Sequence, residues 1–198
     1  MKHTFILSTL ILFFATQAWA QLPAKPEDVK PLLIGQKIPS VQLKDVKGQM
    51  IDTKEVLNKK TILVFYRGGW CPYCTAQLAG LHTIEKEAQA LGYQIVGISP
   101  DSPESLTNTV AKNELGYTIL SDSQGILAKA TGLAFQAPKN YEKYLDKASN
   151  GVNKDFLPVP AVYVLNDKQE IEFMFVSPDF KKRLQPQMLL AVLKGLAL

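Results

Sequence analysis

A chain of 198 residues, 46% of them hydrophobic and 20% charged, is long enough for one domain with a sizeable buried core. Its formal charge of +4 is too small for a nucleic-acid binder, and no basic cluster interleaved with aromatic residues occurs. With 2 cysteines and 2 histidines, one of which is His3 in a segment expected to be removed, the chain is left with fewer than the roughly four protein ligands of a structural zinc site, so neither a metal nor another cofactor is expected.

Residues 1–20 have the pattern of a secretory signal: Lys2 in front, an apolar core over 5–15, and Ala18-Trp19-Ala20 as a small-x-small cleavage site. The alternative, a membrane anchor, meets an apolar core too short to cross about 30 Å of hydrocarbon comfortably. Removal of the leader after Ala20 is therefore expected, with delivery to an oxidising compartment, most simply a periplasm, and no stable membrane insertion. Residues 21–34, rich in Pro and Lys, read as an extended N-terminal extension leading into a single domain over 35–198.

Within that domain Val41-Gln42-Leu43 alternates, Asp45-Val46-Lys47-Gly48 carries turn residues and Met50-Ile51 returns, which predicts a hairpin. Asp52 or Thr53 then caps a short helix reaching Leu57. The apolar, β-branched run 62–66 predicts a buried strand, Gly68-Gly69 breaks it, and Cys71-Pro72-Tyr73-Cys74 opens a stretch of helical periodicity.

Both cysteines of the chain therefore lie at a helix start. There, first-turn backbone N–H groups without intrahelical partners and the positive end of the helix dipole favour a thiolate over a thiol. Two intervening residues leave the second sulfur close enough to resolve a mixed disulfide by exchange. Pro72 suits an early helical position because it has no N–H to leave unpaired, and Trp70 offers the sulfur an apolar shield. A static structural disulfide is the bland alternative, but closing so short a loop removes little entropy from the unfolded chain. Cys71 and Cys74 are thus the candidate catalytic residues and the candidate redox-active disulfide. Cys71 is expected at the end of the glycine turn with its Cβ open to solvent, and Cys74 one turn in and partly covered. In an oxidising compartment such a pair stays oxidised unless a thiol reductant protein, thioredoxin-like or a membrane thiol donor, reduces it.

Beyond the dithiol, Leu78, Leu81, Ile84, Ala88 and Leu91 continue one apolar helix face until Gly92. His82 lies on this helix on the order of 12 Å from Cys74 along the axis, too far to be its base. A strand over 94–98, a helix opened by Ser102 and Pro103 and reaching about Leu115, a strand over 117–120 and a short helix over 125–131 follow. This alternation argues a mostly parallel sheet covered on both faces. The polar stretch at about 133–157 reads as a solvated insertion with a short helix, placed where it could cover one edge of the site. Residues 161–165 and 171–176 suit an antiparallel hairpin, and Pro186 opens a last helix with Leu189, Val192, Leu193 and Leu196 on one face.

This element order resembles the thioredoxin fold, an α/β architecture with a central mixed sheet flanked by helices. Gly35-x-x-Ile38-Pro39, Leu43-x-Asp45-x-x-Gly48 and the block Phe65-Tyr66-Arg67-Gly68-Gly69-Trp70-Cys71-Pro72-Tyr73-Cys74 are similar to the AhpC/TSA redoxin family, in its peroxiredoxin-like branch. The resemblance implies a thiol oxidoreductase acting on a peroxide or, in a thioredoxin-like alternative, on protein disulfides. It also offers two assignments of the sulfurs. Alignment to the peroxiredoxin motif Pro-x-x-x-Thr-x-x-Cys places Arg67 at the proline, Cys71 at the threonine and Cys74 at the peroxidatic cysteine, whereas a thioredoxin-like mechanism makes Cys71 the nucleophile.

Pro160 stands where the family carries a peroxide-activating arginine. The resemblance to thioredoxins implies a cis proline facing the dithiol, the alternative being an ordinary strand-edge proline. Arg67 is a supporting candidate, either polarising a peroxide or simply facing solvent. Gln77 replaces a glutamate frequent in secreted thioredoxin-like reductases, and Arg183 lies in a family-like Phe-x-x-Arg-Leu-x-Pro segment without an assigned role. The preferred expectation is peroxide reduction through a Cys71/Cys74 cycle; a disulfide reductase and a binding module with a static CxxC are the alternatives.

Overall fold

The computed structural model describes residues 21–197, so the expected leader and its cleavage site lie outside the described residues. Strand β1 (Gln42–Lys44) and strand β2 (Met50–Asp52) form the predicted hairpin around Gly48. Helix α1 (Thr53–Val56) follows, capped by the Asp52 carboxylate, which accepts the Lys54 N–H at 2.8 Å. The central βαβαβ run is β3 (Thr61–Phe65), α2 (Pro72–Ala90), β4 (Gln94–Ser99), α3 (Pro103–Asn113) and β5 (Thr118–Ser121). Ser102 caps α3 by accepting the Ser105 N–H, with Pro103 in the first helical position. Then come α4 (Ile126–Ala130), β6 (Ala134–Gln136), α5 (Glu142–Ala148), β7 (Phe156–Pro158), β8 (Ala161–Leu165), β9 (Ile171–Val176) and α6 (Pro186–Leu196).

One seven-stranded sheet, in the order β2-β1-β5-β4-β3-β8-β9, carries the fold. Only the β3–β4 and β4–β5 pairs are parallel; β1–β2, β1–β5, β3–β8 and β8–β9 are antiparallel. The sheet is therefore mixed rather than mostly parallel, because hairpins at both ends extend the parallel centre. Strand β3 is buried on both faces. Its Leu63 and Phe65 face one core with Val96, Ile98 and Tyr163, while Ile62 and Val64 face a second core built with Leu81, Ile84, Leu189 and Leu193 of α2 and α6. The alternation of side chains along this strand divides the molecule into its layers, and its C-terminal end delivers the chain to the dithiol.

The structure departs from expectation in the stretch 133–157. It is not a solvated insertion: β6 pairs antiparallel with β7, and Leu133, Phe135, Leu145, Phe156 and Leu157 are buried in the larger core. The apolar residues of this stretch are spread among lysines and so show no period, yet the small second sheet gathers them on one side. The extension before the domain is stitched down as well, through Leu32 N–H to Thr131 O at 3.1 Å, Gly35 N–H to Ile171 O at 2.8 Å and Gln136 N–H to Pro23 O at 2.8 Å.

Pro160 also differs from expectation, since no peptide bond among the described residues is cis. It bridges two paired segments: the preceding Val159 N–H donates to Leu133 O, and its own carbonyl accepts from Ser177 N–H. Both neighbours are thus held in extended ladders that a trans bond continues. Among the described residues no helix is long and apolar enough to cross a membrane.

Candidate active site

After β3 the chain stays buried through Tyr66 and Arg67 and then turns sharply at Gly68, whose φ of +146° is foreign to L side chains. A Cβ at Gly68 would run into the Trp70 indole and the Asp101 carboxylate, and one at Gly69 would run into the Thr109 hydroxyl. The Gly-Gly pair thus lets the turn press against α3 and the end of β4. Gly69 N–H donates to Asp101 Oδ2 at 2.7 Å, Cys71 N–H donates to Gly68 O at 3.2 Å, and α2 starts with Cys71 as its cap residue and Pro72 in the first turn. Cys71 O accepts the N–H groups of Cys74 at 3.0 Å and Thr75 at 3.1 Å, which winds the second sulfur back toward the first.

Both cysteines are free thiols. Cys74, expected to be partly covered, is fully enclosed, and Cys71, expected to be open, is only 2% exposed. The difference comes from an aromatic cover. Trp70 packs against the cluster that contains both cysteines, Tyr144 stacks on Trp70 at 5.5 Å between ring centroids, and Tyr141 leans on it at 5.7 Å. Tyr141 and Tyr144 belong to the 133–157 stretch, which thereby covers one edge of the site.

Arg67 holds this cover from below. It does not face solvent: it is 3% exposed, with its guanidinium 4.2 Å from the Phe180 ring, 4.4 Å from Tyr141 and 5.4 Å from Trp70. Arg183, without a role in the sequence reading, proves to be the residue that touches sulfur. Its Nη2 donates to Cys74 Sγ at 3.4 Å, its Nη1 to Gln77 Oε1 at 2.8 Å and its Nε to Phe180 O at 2.8 Å. Two arginines thus flank a buried dithiol, and the only advance signal for the second was its family-like segment together with the unusual Gln77. Pro160 lies at the same end of the sheet, since Ala161 pairs with Phe65. His82 is half exposed and bonded to Glu85 at 3.0 Å, away from the dithiol as expected.

The charges sort the two sulfurs. The Cys74 thiol stabilises a neighbouring Cys71 thiolate, Arg67 and Arg183 add favourable charge, and together they outweigh burial to bring Cys71 down to about 6. Burial beside that thiolate pushes the Cys74 thiol well up. The pair therefore rests as a Cys71 thiolate with a protonated Cys74. Asp101, 2% exposed, is pushed up to about 7 by burial. Besides Gly69 N–H, the Ser99 hydroxyl and the Trp70 indole N–H lie against this carboxylate and partly offset that rise. Behind the turn lies a cavity of about 700 Å³ between α3 and α5, lined by Trp70, Asp101, Thr109, Lys112, Lys143 and Tyr144 among others. Among the described residues no cluster of His, Cys, Asp and Glu is able to hold a metal ion.

Comparison with known proteins finds peroxiredoxins similar to this chain. The chain is 27% identical over 168 residues to a putative peroxiredoxin bcp of Haemophilus influenzae, covering 85% of this chain and 100% of that protein. It is 26% identical over 153 residues to peroxiredoxin Bcp of Escherichia coli K12, covering 77% and 90%. Among solved structures, peroxidoxin BcpB from Mycobacterium tuberculosis superposes with a TM-score of 0.66 at 19% identity, over 82% of this chain and 96% of that one. Peroxiredoxin Q of Xanthomonas campestris gives 0.62 at 19% identity over 80% and 92%. The fold is thus the thioredoxin-like fold of the peroxiredoxins. The AhpC/TSA family model matches residues 34–174, a span that contains the dithiol turn, its aromatic cover and the sheet up to the middle of β9, and the chain belongs to the AhpC/TSA family.

Proposed function

We propose that this protein is an exported thiol peroxidase that cycles Cys71 and Cys74 between dithiol and disulfide. The observation that carries the reading is a free, buried thiol pair at the start of α2 with the Arg183 guanidinium on the Cys74 sulfur, where Arg67 and Arg183 both favour a Cys71 thiolate. The Cys71 thiolate attacks the terminal oxygen of a peroxide; the O–O bond breaks, the leaving oxygen takes a proton and departs as water or alcohol, and Cys71 becomes a sulfenic acid. Cys74 then attacks the Cys71 sulfur, the S–O bond breaks with release of water, and the disulfide forms. A thiol reductant protein returns two electrons and two protons. Export rests on the leader pattern of residues 1–20, which precedes the matched family region starting at residue 34.

The Arg183 contact favours a second assignment, in which Cys74 is the sulfur that takes the peroxide oxygen, as in the alignment to the peroxiredoxin motif. Stopped-flow mixing of the reduced protein with hydrogen peroxide tests both. Wild-type thiols should disappear within seconds in micromolar peroxide, and Cys74→Ser should yield a dimedone adduct at Cys71. An adduct at Cys74 in Cys71→Ser, with a slow Cys74→Ser, establishes the second assignment instead. Oxidation no faster than that of free cysteine, combined with reduction of insulin disulfides, identifies a disulfide reductase.

A further inference from the structure

The cavity of about 700 Å³ between α3 and α5 lies against the dithiol turn, yet neither cysteine lines it. Whatever enters it meets the cover of the site and not the sulfurs. Its volume falls in the small-molecule range of about 300–1,000 Å³, which suits one small ligand and not a folded partner.

Both helices turn a whole face to this space. On α3 Ser105, Asn108 and Lys112 line it, and on α5 Lys143, Tyr144 and Lys147, at the spacings of three and four that align side chains along a helix. The acids of the same two helices are engaged elsewhere. Glu104 accepts the Asn150 amide, Asp146 pairs with Lys154 at 3.2 Å, and Glu142 lines other hollows. Asp101, the one carboxylate in the wall, is 2% exposed and bonded to Gly69 N–H, so it shows the cavity almost no oxygen.

The cations therefore stand without counter-charge. Among the described residues Lys112, Lys143 and Lys147 make no ion pair. Lys143 and Lys147 are four apart on α5, a spacing at which like charges weaken a helix. An anion between the two helices relieves that repulsion. The same wall offers aromatic surface: the Tyr144 ring lies on Trp70 at an interplanar angle of 23°, and Tyr144 is still 56% exposed.

We propose that this cavity binds a small organic anion, with its charged group among Lys112, Lys143 and Lys147 and its apolar or aromatic body on Tyr144 and Trp70, and that the bound anion holds the cover over Cys71 shut. The coupling follows from Trp70, which is both a wall of the cavity and packed against the cluster that encloses the two cysteines. A ligand resting on Trp70 and on the ring stacked against it opposes the outward movement that uncovers Cys71. The site stands whether the dithiol reduces peroxides or protein disulfides.

Anilinonaphthalene sulfonate, which fluoresces on leaving water, supplies both parts of such a ligand, and phenylnaphthylamine supplies the rings without the charge. Titration of the reduced wild type should show one sulfonate bound per chain. Combining Lys112→Gln, Lys143→Gln and Lys147→Gln, all at exposed positions, should weaken it on the order of 10-fold or more while leaving the uncharged probe unaffected. Naphthoate should displace the sulfonate and inorganic phosphate should not. Saturating sulfonate should slow iodoacetamide alkylation of Cys71 several-fold in the wild type and leave the rate unchanged in the triple variant. Equal sulfonate affinity in the two proteins, displacement by phosphate as readily as by naphthoate, or alkylation that saturation does not slow overturns the proposal. None of these results depends on the rate with peroxide, so a protein inert to peroxide that still shows lysine-dependent protection of Cys71 sinks the peroxidase reading and keeps the anion site.

Discussion

Arg183 donates to the Cys74 sulfur at 3.4 Å although 109 positions separate the two in the chain. The same guanidinium is fixed at its other nitrogens by Gln77 and Phe180 O, so it arrives at the sulfur with little freedom left to lose. Arg183→Met keeps much of the volume and removes the charge and the fork. The peroxide rate constant should fall about 10-fold or more, and the Cys71 titration should move up, because Arg183 favours that thiolate. Arg183→Lys should recover the charge but not the simultaneous contacts, giving an intermediate rate in stopped-flow assays.

Thiolate absorbance at 240 nm should show one step near pH 6 in the reduced protein, from Cys71. Cys71→Ser should abolish it, and Cys74→Ser should shift it toward the ordinary thiol range by removing the stabilising Cys74 thiol. Because the folded value is lowered, this interaction adds stability above the unfolded thiol pKa of about 8.5 and loses it as pH falls through about 6. A step that survives in Cys71→Ser assigns the thiolate to Cys74.

Two buried carboxyls have the opposite linkage. Asp101 is raised to about 7 and Asp122 to about 6, both chiefly by burial, so the folded state binds more protons than the unfolded state across the acid range. Their contribution is fully present below the unfolded Asp value of about 3.9 and declines as pH rises through these folded values. Urea unfolding of the wild type and of Asp101→Asn between pH 4.5 and 8 should show a less pH-dependent stability in the variant. Equal slopes in the two proteins contradict the assignment.

Gly68→Ala places a methyl group against the Trp70 indole and the Asp101 carboxylate in a backbone conformation that alanine rarely adopts. A loss of about 1–3 kcal/mol is expected in urea unfolding. Faster alkylation of Cys71 should accompany it as Trp70 is displaced. Gly48→Ala, where no atom lies within 4 Å of the added carbon, controls for the strain of a positive φ without the collision.

Arg67→Met removes a cation that lies within 4.4 Å of both the Tyr141 and Phe180 rings. The aromatic cover should loosen, and maleimide labelling of Cys71 should accelerate several-fold with less change at Cys74. Unchanged labelling would show that Trp70 and Tyr144 hold the cover by stacking alone.

What was legible in advance follows the range of the physics involved. The β1–β2 hairpin, the Asp52 and Ser102 caps, and the strand, glycine turn and helix around Cys71 are all written in residues a few positions apart, where turn chemistry and periodicity act. The burial of Cys71 was not, because Tyr141 and Tyr144 approach Trp70 only after β6 and β7 have paired. Arg67 read equally well as solvent-facing because nothing near it in sequence reveals three rings converging from different segments. Arg183 was visible only as part of a familiar segment, since its partner sulfur is reached by tertiary folding. The trans bond at Pro160 was misjudged by analogy, where the paired ladders on either side decide.

The late arrival of Arg183 and Phe180 also bears on how the chain matures. The dithiol emerges before the last two strands of its sheet, so for part of its synthesis Cys71 and Cys74 are without their C-terminal guard. With only 2 cysteines in the sequence, a disulfide closed at that stage within the chain joins the same atoms as one closed after folding. No scrambled isomer exists for an isomerase to correct, and oxidative refolding from denaturant should proceed with equal yield whether the chain starts reduced or oxidised.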